Sequence, residues 1–145
     1  MPKISKVLVK IESVIENIGA AGLPEGDAER SVSEVDGIFA YSDGEIIINY
    51  TEDGEGGRVI SEIRAYPELV CVKRSGAIES ELHFKEGEEH LSVYSIPPYK
   101  FDACVKTRRI RRALTEDGGS LELFYNMKIG GADKSARMKI WIRTP

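Results

Sequence analysis

The sequence predicts an all-β protein: a single antiparallel up-and-down β-barrel of about eight to ten strands. Apolar residues recur at every second position through most of the apolar runs, as they do in strands that bury one face. Short segments rich in Gly, Asp and Pro separate these runs at hairpin-length intervals. A sheet with this many strands and one apolar face is expected to curl and close.

The strands follow in order along the chain. The first carries Val7, Val9 and Ile11 in one phase, and "RVISEIRAY" carries Val59 and Ile63, with Ser61 as the one polar residue in that phase. The last runs, "LELFYNMKI" and "ARMKIWI", repeat the alternation. The intervening turn segments are "SDGE" at 42–45, "DGEGG" at 53–57, "PE" at 67–68, "TEDGG" at 115–119 and "GGADK" at 130–134. No helical period is sustained, so no helix is predicted.

One connection is predicted to be longer. Residues 17–30, "NIGAAGLPEGDAER", are rich in Gly, Ala and Pro and lack a sustained period. We expect a flexible loop between the first two strands, either a plain surface connection or a cover over one open end of the barrel.

The segment "ELHFKEGEEHLSVY" is predicted to form a hairpin around Glu86-Gly87. The favoured register pairs Leu82 with Leu91 and His83 with His90, which places Leu82, Phe84, Leu91 and Val93 on one face. The two histidines then lie opposite each other on the outer face, near enough to share a metal. Because no third ligand is suitably spaced, we expect a solvated pair and no metal site.

The run "KTRRIRRAL", residues 106–114, is predicted to continue a strand. Its inward phase changes after Thr107 and resumes at Ile110, which is what a β-bulge at 107–109 produces. Lys106 and Arg108 then face solvent. Either Arg109 or Arg111 is expected to turn toward a barrel mouth.

Charge is unevenly distributed although the net charge is only −4. Residues 12–62 sum to −11 and residues 100–145 to +6. The basic half either binds an anionic partner, a nucleic acid or an acidic protein, or neutralises the acidic half across the sheet. The cations of the expected outer stripe are Lys6, Lys10, Arg137, Lys139 and Arg143, with Trp141 among them.

The composition indicates one domain over residues 1–145 and excludes several classes of protein. No apolar run approaches the roughly 20 residues of a membrane helix, so we expect no membrane partner. Cys71 and Cys104 lack metal-site or redox spacing and read as reduced thiols of a cytoplasmic protein. Nucleophile elbows and phosphate-binding glycine loops are absent, so neither an enzyme nor a cofactor is predicted.

Several short motifs occur in a specific order. They include "Y-x-E" at 50–52, "R-x-G" at 74–76, Phe84 before an acidic turn, Tyr94, Pro98-Tyr99, Thr107 and "LELFY" at 121–125. In this order they resemble the YwiB-like bacterial family, a domain of unknown function grouped with the calycin (lipocalin-like) β-barrels. Pro97 and Lys100 stand where that family tends to have Thr and Gly.

The resemblance implies a cytoplasmic barrel without an established activity, holding a small apolar or amphipathic ligand inside. Arg74, with Tyr50 and Glu52 on other strands, is the candidate polar group at the end of the cavity, and Tyr94 and Tyr125 are further candidate ligand-binding residues. The alternative is a structural Arg–Glu pair that closes the barrel. We therefore expect a non-enzymatic binding barrel, or else an interaction module that uses the basic outer stripe.

Overall fold

A computed structural model describes residues 2–19, 23–54 and 56–145. Within these ranges the chain forms ten antiparallel strands and no helix. The strands are β1 (Lys3–Ile18), β2 (Pro24–Ser42), β3 (Glu45–Gly54), β4 (Gly57–Ala65), β5 (Val70–Gly76), β6 (Glu79–Phe84), β7 (Glu89–Ile96), β8 (Tyr99–Thr115), β9 (Gly118–Ile129) and β10 (Ala132–Arg143). Each strand pairs with the next, and β10 pairs with β1. The predicted closed up-and-down barrel is confirmed.

The core is the inner face of the closed sheet. Alternate residues of each strand point inward, so the period-two pattern of the sequence becomes one apolar interior. Where β1 and β10 close the barrel, Val9 lies opposite Ile142 and Ile11 opposite Ile140. The largest fully buried side chains are Phe39, Phe84, Ile46, Ile48, Ile63, Leu121, Leu123, Ile140, Val9, Val70, Val72 and Val105.

The predicted loop over residues 17–30 is wrong. β1 continues to Ile18 and β2 begins at Pro24, and Asn17 pairs with Glu25 after an irregularity in register. Residues 20–22 lie outside the described residues. Pairing between two long neighbouring strands satisfies the backbone of this segment, which outweighs its weak local strand preference.

The predicted register of the hairpin around Glu86-Gly87 is also wrong. The turn is where it was expected, with Glu88 N–H donating to the Lys85 carbonyl at 3.0 Å. However, β6 and β7 pair through Glu79 with Ser95 and Ser80 with Tyr94, a register one residue away from the prediction. As a result Leu91 and Val93 are on the outside, 85% and 52% exposed.

The predicted bulge in β8 is confirmed. Thr107 pairs with Tyr125 and Arg109 with Phe124, so Arg108 is the extra residue on β8. The inward phase is buried at Val105 and Thr107 and then passes to Ile110 and Leu114, which pack against the core. The β6–β7 turn contacts β8 next to the bulge: the Glu86 carboxylate accepts a hydrogen bond from Ile110 N–H at 2.7 Å.

Gly37 has a structural reason for lacking a side chain. A Cβ at this position would lie 2.6 Å from Val9 Cγ2 and 2.8 Å from the Asn49 carbonyl oxygen. Gly37 lies opposite Tyr50 in the β2–β3 pair. The absence of a Cβ therefore lets the Val9 side chain of β1 and the backbone of β3 approach β2 closely.

Candidate functional site

Polar side chains form a continuous row on the inner face of five neighbouring strands. Tyr50 of β3 lies opposite Ser61 of β4, which lies opposite Arg74 of β5. Arg74 in turn lies opposite Ser80 of β6, and Ser80 lies opposite Tyr94 of β7. Directly opposed residues of antiparallel strands point to the same face, so pairing alone collects these side chains. We call this set the Arg74 row.

Arg74 reaches across the interior of the barrel. Its Nη2 lies 3.7 Å from the Met138 sulfur on β10, and β5 and β10 are five strands apart in either direction around the barrel. A thioether is a weak acceptor for a guanidinium that has five N–H donors. Among the described residues, no carboxylate lies within the 4.0 Å of an ion pair with Arg74. The charge of Arg74 is therefore left without an anionic partner.

Three hydroxyl groups of the Arg74 row are buried and find no hydrogen-bond partner in the described part of the chain. They belong to Tyr50, Ser61 and Ser80, which are 3%, 0% and 7% exposed. Ser61 and Arg74 lie close enough to Tyr50 to lower its pKa, yet neither contact has the geometry of a hydrogen bond. Burial outweighs them and raises the pKa of Tyr50, so this phenol is a neutral donor at physiological pH.

Tyr125 approaches Arg74 from the other side of the barrel. Its ring packs edge-on against Phe84, with the ring centroids 4.8 Å apart. Burial raises the pKa of Tyr125, while the nearby positive charge of Arg74 lowers it and Tyr94 raises it further. Tyr50 and Tyr125 thus lie near one inward-facing cation, and Tyr94 lies near Tyr125.

Glu52 does not join this cation. Its carboxylate accepts a hydrogen bond from the Ser33 hydroxyl at 2.7 Å, which ties β3 to β2. The alternative of an Arg–Glu pair closing the barrel is not formed between Arg74 and Glu52 in the described part of the chain. Glu52 is still near Tyr50: the negative charge of Glu52 raises the pKa of Tyr50, whereas the positive charge of Arg74 lowers it.

The Arg74 row borders a cleft of about 510 Å³ at the junction of β6 and β7. Arg74, Ser80, Val93, Ser95 and Lys100 are among its lining residues. These strands pair at only two positions, whereas β1 and β10 pair at ten. We call this weakly paired junction the β6–β7 seam. The lining of the cleft also includes the exposed residues Lys73, Ser75, Glu79 and Glu81, so the cleft lies on the outer side of this seam.

Arg109 and Arg111 do not turn toward a barrel mouth. The bulge at Arg108 leaves both on the outer face, where Arg111 Cζ lies 5.9 Å from the Phe124 ring centroid. Arg112 takes the inward phase instead. It donates to the Tyr66 carbonyl and, at 3.0 Å, to the Gly44 carbonyl. Arg112 therefore joins two turns at one end of the barrel.

Opposite charges from the two halves of the chain meet on the outer wall. Arg137 lies 2.8 Å from Glu12, and Arg143 lies 2.7 Å from Glu34. Lys10 and Lys139 lie over the Trp141 ring, at 5.0 Å and 4.7 Å from its centroid. Part of the basic stripe is therefore neutralised across the sheet.

The two histidines lie close together, their ring centroids 5.9 Å apart. His83 Nδ1 is 3.3 Å from the Cys71 sulfur, and its Nε2 is 3.5 Å from the Glu81 carboxylate. Burial, followed by the Glu81 charge, raises the pKa of Cys71. Within the described ranges no three His, Cys, Asp or Glu side chains converge as metal ligands.

Ser61 and Ser80 are functional candidates that sequence reasoning did not select. Ser61 had a signal, since it is the single polar residue in the inward phase of β4. Ser80 had a similar signal, since it shares the period-two phase of Leu82 and Phe84 on β6. In the described part of the chain no helix is long and apolar enough to cross a membrane.

The fold and the Arg74 row define a closed ten-stranded antiparallel barrel with a polar group inside it. Residues 15–142 match the family described as Domain of unknown function (DUF1934), and the chain belongs to that family. It is 22% identical over 130 residues to the "Uncharacterized beta-barrel protein YwiB" of Bacillus subtilis (strain 168), covering 90% of this chain and 87% of the relative. The crystal structure of the ywiB protein from Bacillus subtilis matches with a TM-score of 0.79 at 20% identity, over 95% of this chain and 92% of that one. The predicted family is confirmed, and the structural match supports the fold.

Proposed function

We propose that this barrel is a non-enzymatic, cytoplasmic protein that binds a small amphipathic molecule through an anionic end group. The observation that carries the proposal is the interior Arg74, which has no carboxylate partner among the described residues and lies beside three buried, unbonded hydroxyls. An inward-facing guanidinium and unpaired buried hydroxyls destabilise a fold unless something satisfies them. A carboxylate bound at Arg74 accepts paired hydrogen bonds from the guanidinium and has acceptor capacity left for a neighbouring hydroxyl.

The β6–β7 seam provides the route and the apolar surface. The cleft that reaches Arg74 and Ser80 is also lined by Val93. Beyond it, Ile96 of β7 and Phe101 of β8, which share a face with Tyr94, are 45% and 37% exposed. An apolar tail that covers these side chains stabilises the complex by about 25 cal/mol for each Å² removed from water. The ligand is therefore placed with its anionic head inside and its tail along the β7–β8 hairpin.

Calorimetric titration with octanoate and 1-octanol tests the proposal, because the two probes share a tail and differ in the head group. We expect octanoate to bind and octanol to bind at least tenfold more weakly. Charge-assisted hydrogen bonds are worth about 1.5–3 kcal/mol, so Arg74→Gln should weaken octanoate binding by roughly 10- to 150-fold. Arg74→Lys should recover only part of the affinity, since an ammonium lacks the planar fork.

Arg143→Gln is the matched control, because Arg143 is exposed and pairs with Glu34 on the outer wall. It removes the same charge and should leave octanoate binding unchanged. The proposal is contradicted by absent octanoate binding, by equal affinity for octanol, or by an unchanged affinity in folded Arg74→Gln protein.

A further inference from the structure

A second group of cations lies on the outer wall of the barrel, separate from the Arg74 row. Arg30 of β2, Arg108 of β8 and Arg137 of β10 line a cleft of about 330 Å³. Val14 lies opposite both Arg30 and Arg137, and Arg137 lies opposite Phe124. Strand pairing therefore holds these side chains on adjacent positions of one wall. We call this the outer arginine cleft.

Two of its guanidinium groups keep their charge available. In the described part of the chain, neither Arg30 nor Arg108 has a carboxylate within 4.0 Å. Arg108 Nη2 donates to the Ser135 hydroxyl at 3.2 Å, which orients its side chain. Glu16 also lines the cleft, and its carboxylate would repel an anionic ligand.

Arg137 is the best anchored of the three arginines. It lies 2.8 Å from Glu12 and 3.6 Å from Glu122, which is only 8% exposed. Even so, its Nε is buried without a hydrogen-bond partner. This Nε is the atom that faces the Glu122 carboxylate, so Arg137 supplies a fixed wall more than it supplies free charge.

The bulge in β8 contributes one arginine to this cleft. Arg108 is the residue that has no partner on β9, and it points outward together with Arg109. Bulges recur where a strand must redirect a side chain toward a site. Arg109, opposite Phe124, and Arg111, 5.9 Å from its ring centroid, add positive charge at the rim.

From this geometry we infer that the outer arginine cleft binds a terminal phosphate group, as found on a nucleotide. Guanidinium groups match phosphate oxygens with paired N–H donors, and they converge on the cleft from three strands. Val14 and Phe124 supply apolar surface beside the phosphate position, which suits the attached sugar or base. The source is either a free nucleotide or the phosphorylated end of a nucleic acid strand.

Calorimetric titration of the intact protein with AMP, adenosine and inorganic phosphate tests the inference. We expect AMP to bind, adenosine not to bind, and inorganic phosphate to compete with AMP. Arg30→Gln with Arg108→Gln should weaken AMP binding at least about tenfold, because it removes the two unpaired guanidinium groups. Both residues are exposed, so the variant should fold, and Arg30→Gln alone gives a smaller loss in the same direction.

Arg58→Gln is the control, since Arg58 is exposed and pairs with Asp53 at the β3–β4 turn. A 5′-phosphorylated oligothymidylate that binds more tightly than AMP identifies a strand end as the source; equal or weaker binding identifies the free nucleotide. The inference is overturned if no phosphate probe binds, or if the double variant keeps its AMP affinity. Equal binding of unphosphorylated oligothymidylate or polyglutamate also overturns it, because the cleft would then respond to negative charge in general.

Discussion

Arg74 is the clearest exception to the pattern of apolar residues at inward-facing strand positions. A strand position that faces a barrel interior normally carries an apolar side chain, as Val70 and Val72 do on the same strand. Arg74 continues their inward phase and ends against the thioether of Met138. Exceptions to an otherwise consistent pattern concentrate at functional sites. The family resemblance points to Arg74, Tyr50, Glu52, Tyr94 and Tyr125 as site residues. Spacing alone does not reveal that the barrel brings Tyr50 and Tyr125 near the arginine.

Two of those tyrosines make the stability of the protein sensitive to alkaline pH. Burial raises the pKa values of Tyr50 and Tyr125 above the ordinary 10.0, so the folded protein retains phenol protons that the unfolded chain releases. Their contribution is complete below pH 10.0 and is lost as pH rises toward the folded pKa values. We expect a loss of at most about 1.4 kcal/mol per pH unit for each tyrosine.

Denaturant unfolding measured from neutral pH into this alkaline range checks the expectation. The double variant Tyr50→Phe with Tyr125→Phe should show a flatter dependence, because it has no phenol at either position. Tyr99→Phe, at a side chain 65% exposed, should retain the wild-type slope. A double variant as alkali-sensitive as the wild type would contradict this assignment.

At the scale of single elements, β8 shows how far a sequence pattern can predict geometry. The change of apolar phase between Thr107 and Ile110 is visible in the sequence, and the bulge lies at that point. Which arginine leaves the outer face was not predictable. Arg112 points inward because two turns, at Gly44 and Tyr66, present carbonyls within its reach. Those turns are remote in sequence, so local periodicity contains no information about them.

Deleting Arg108 tests the role of the bulge. Without this residue, Thr107 points inward, Arg109 outward and Ile110 inward, which is regular alternation. We expect the variant to fold with an unfolding free energy within about 1 kcal/mol of wild type, and to lose AMP binding. Deleting Lys106 instead should destabilise by several kcal/mol, on the order of 3–5, because it drives Arg108 into the buried site of Thr107. Thermal and chemical unfolding of both variants measure the difference.

The register of strand β7 could not be predicted from the hairpin turn alone. The predicted position of the turn is confirmed, whereas the predicted register, which would bury Leu91 and Val93, is wrong. In the structure His90 lies opposite Val105 and Ser92 opposite Ala103, so the polar phase faces inward. The longer pairing with β8 decides the register, and it is a tertiary contact that no local window contains. The inward face of β7 is therefore polar where it continues the Arg74 row.

At the scale of the whole molecule, the uneven charge distribution is partly a consequence of closure. The acidic β2 and the basic β10 lie on either side of β1. Arg137 of β10 pairs with Glu12 of β1, and Arg143 of β10 pairs with Glu34 of β2. Surface pairs of this kind contribute little stability, at about 0–1 kcal/mol each. Their arrangement favours the correct neighbours over like-charged ones. Arg30 and Arg108, which have no carboxylate within 4.0 Å among the described residues, line the outer arginine cleft.

The barrel is expected to open most readily at the β6–β7 seam. Only two residue pairs join these strands, so amides of residues 81–84 and 89–93 that face the seam have little protection. Hydrogen exchange followed by mass spectrometry or NMR should show these amides exchanging at least tenfold faster than those of β1 and β10, which share ten residue pairs. Equal protection at the two junctions would contradict this expectation.

The β6–β7 seam also bears on self-association. A closed barrel has no edge strand to recruit another chain, but this seam exposes partly unpaired backbone beside Leu91, which is 85% exposed. The Ser92 hydroxyl donates to the Glu81 carbonyl at 2.6 Å and so occupies an acceptor that an incoming strand would need. We therefore expect this hydrogen bond to hinder the addition of a second chain at the seam. The proposed ligand, seated in the same opening, would cover the same backbone and so oppose self-association.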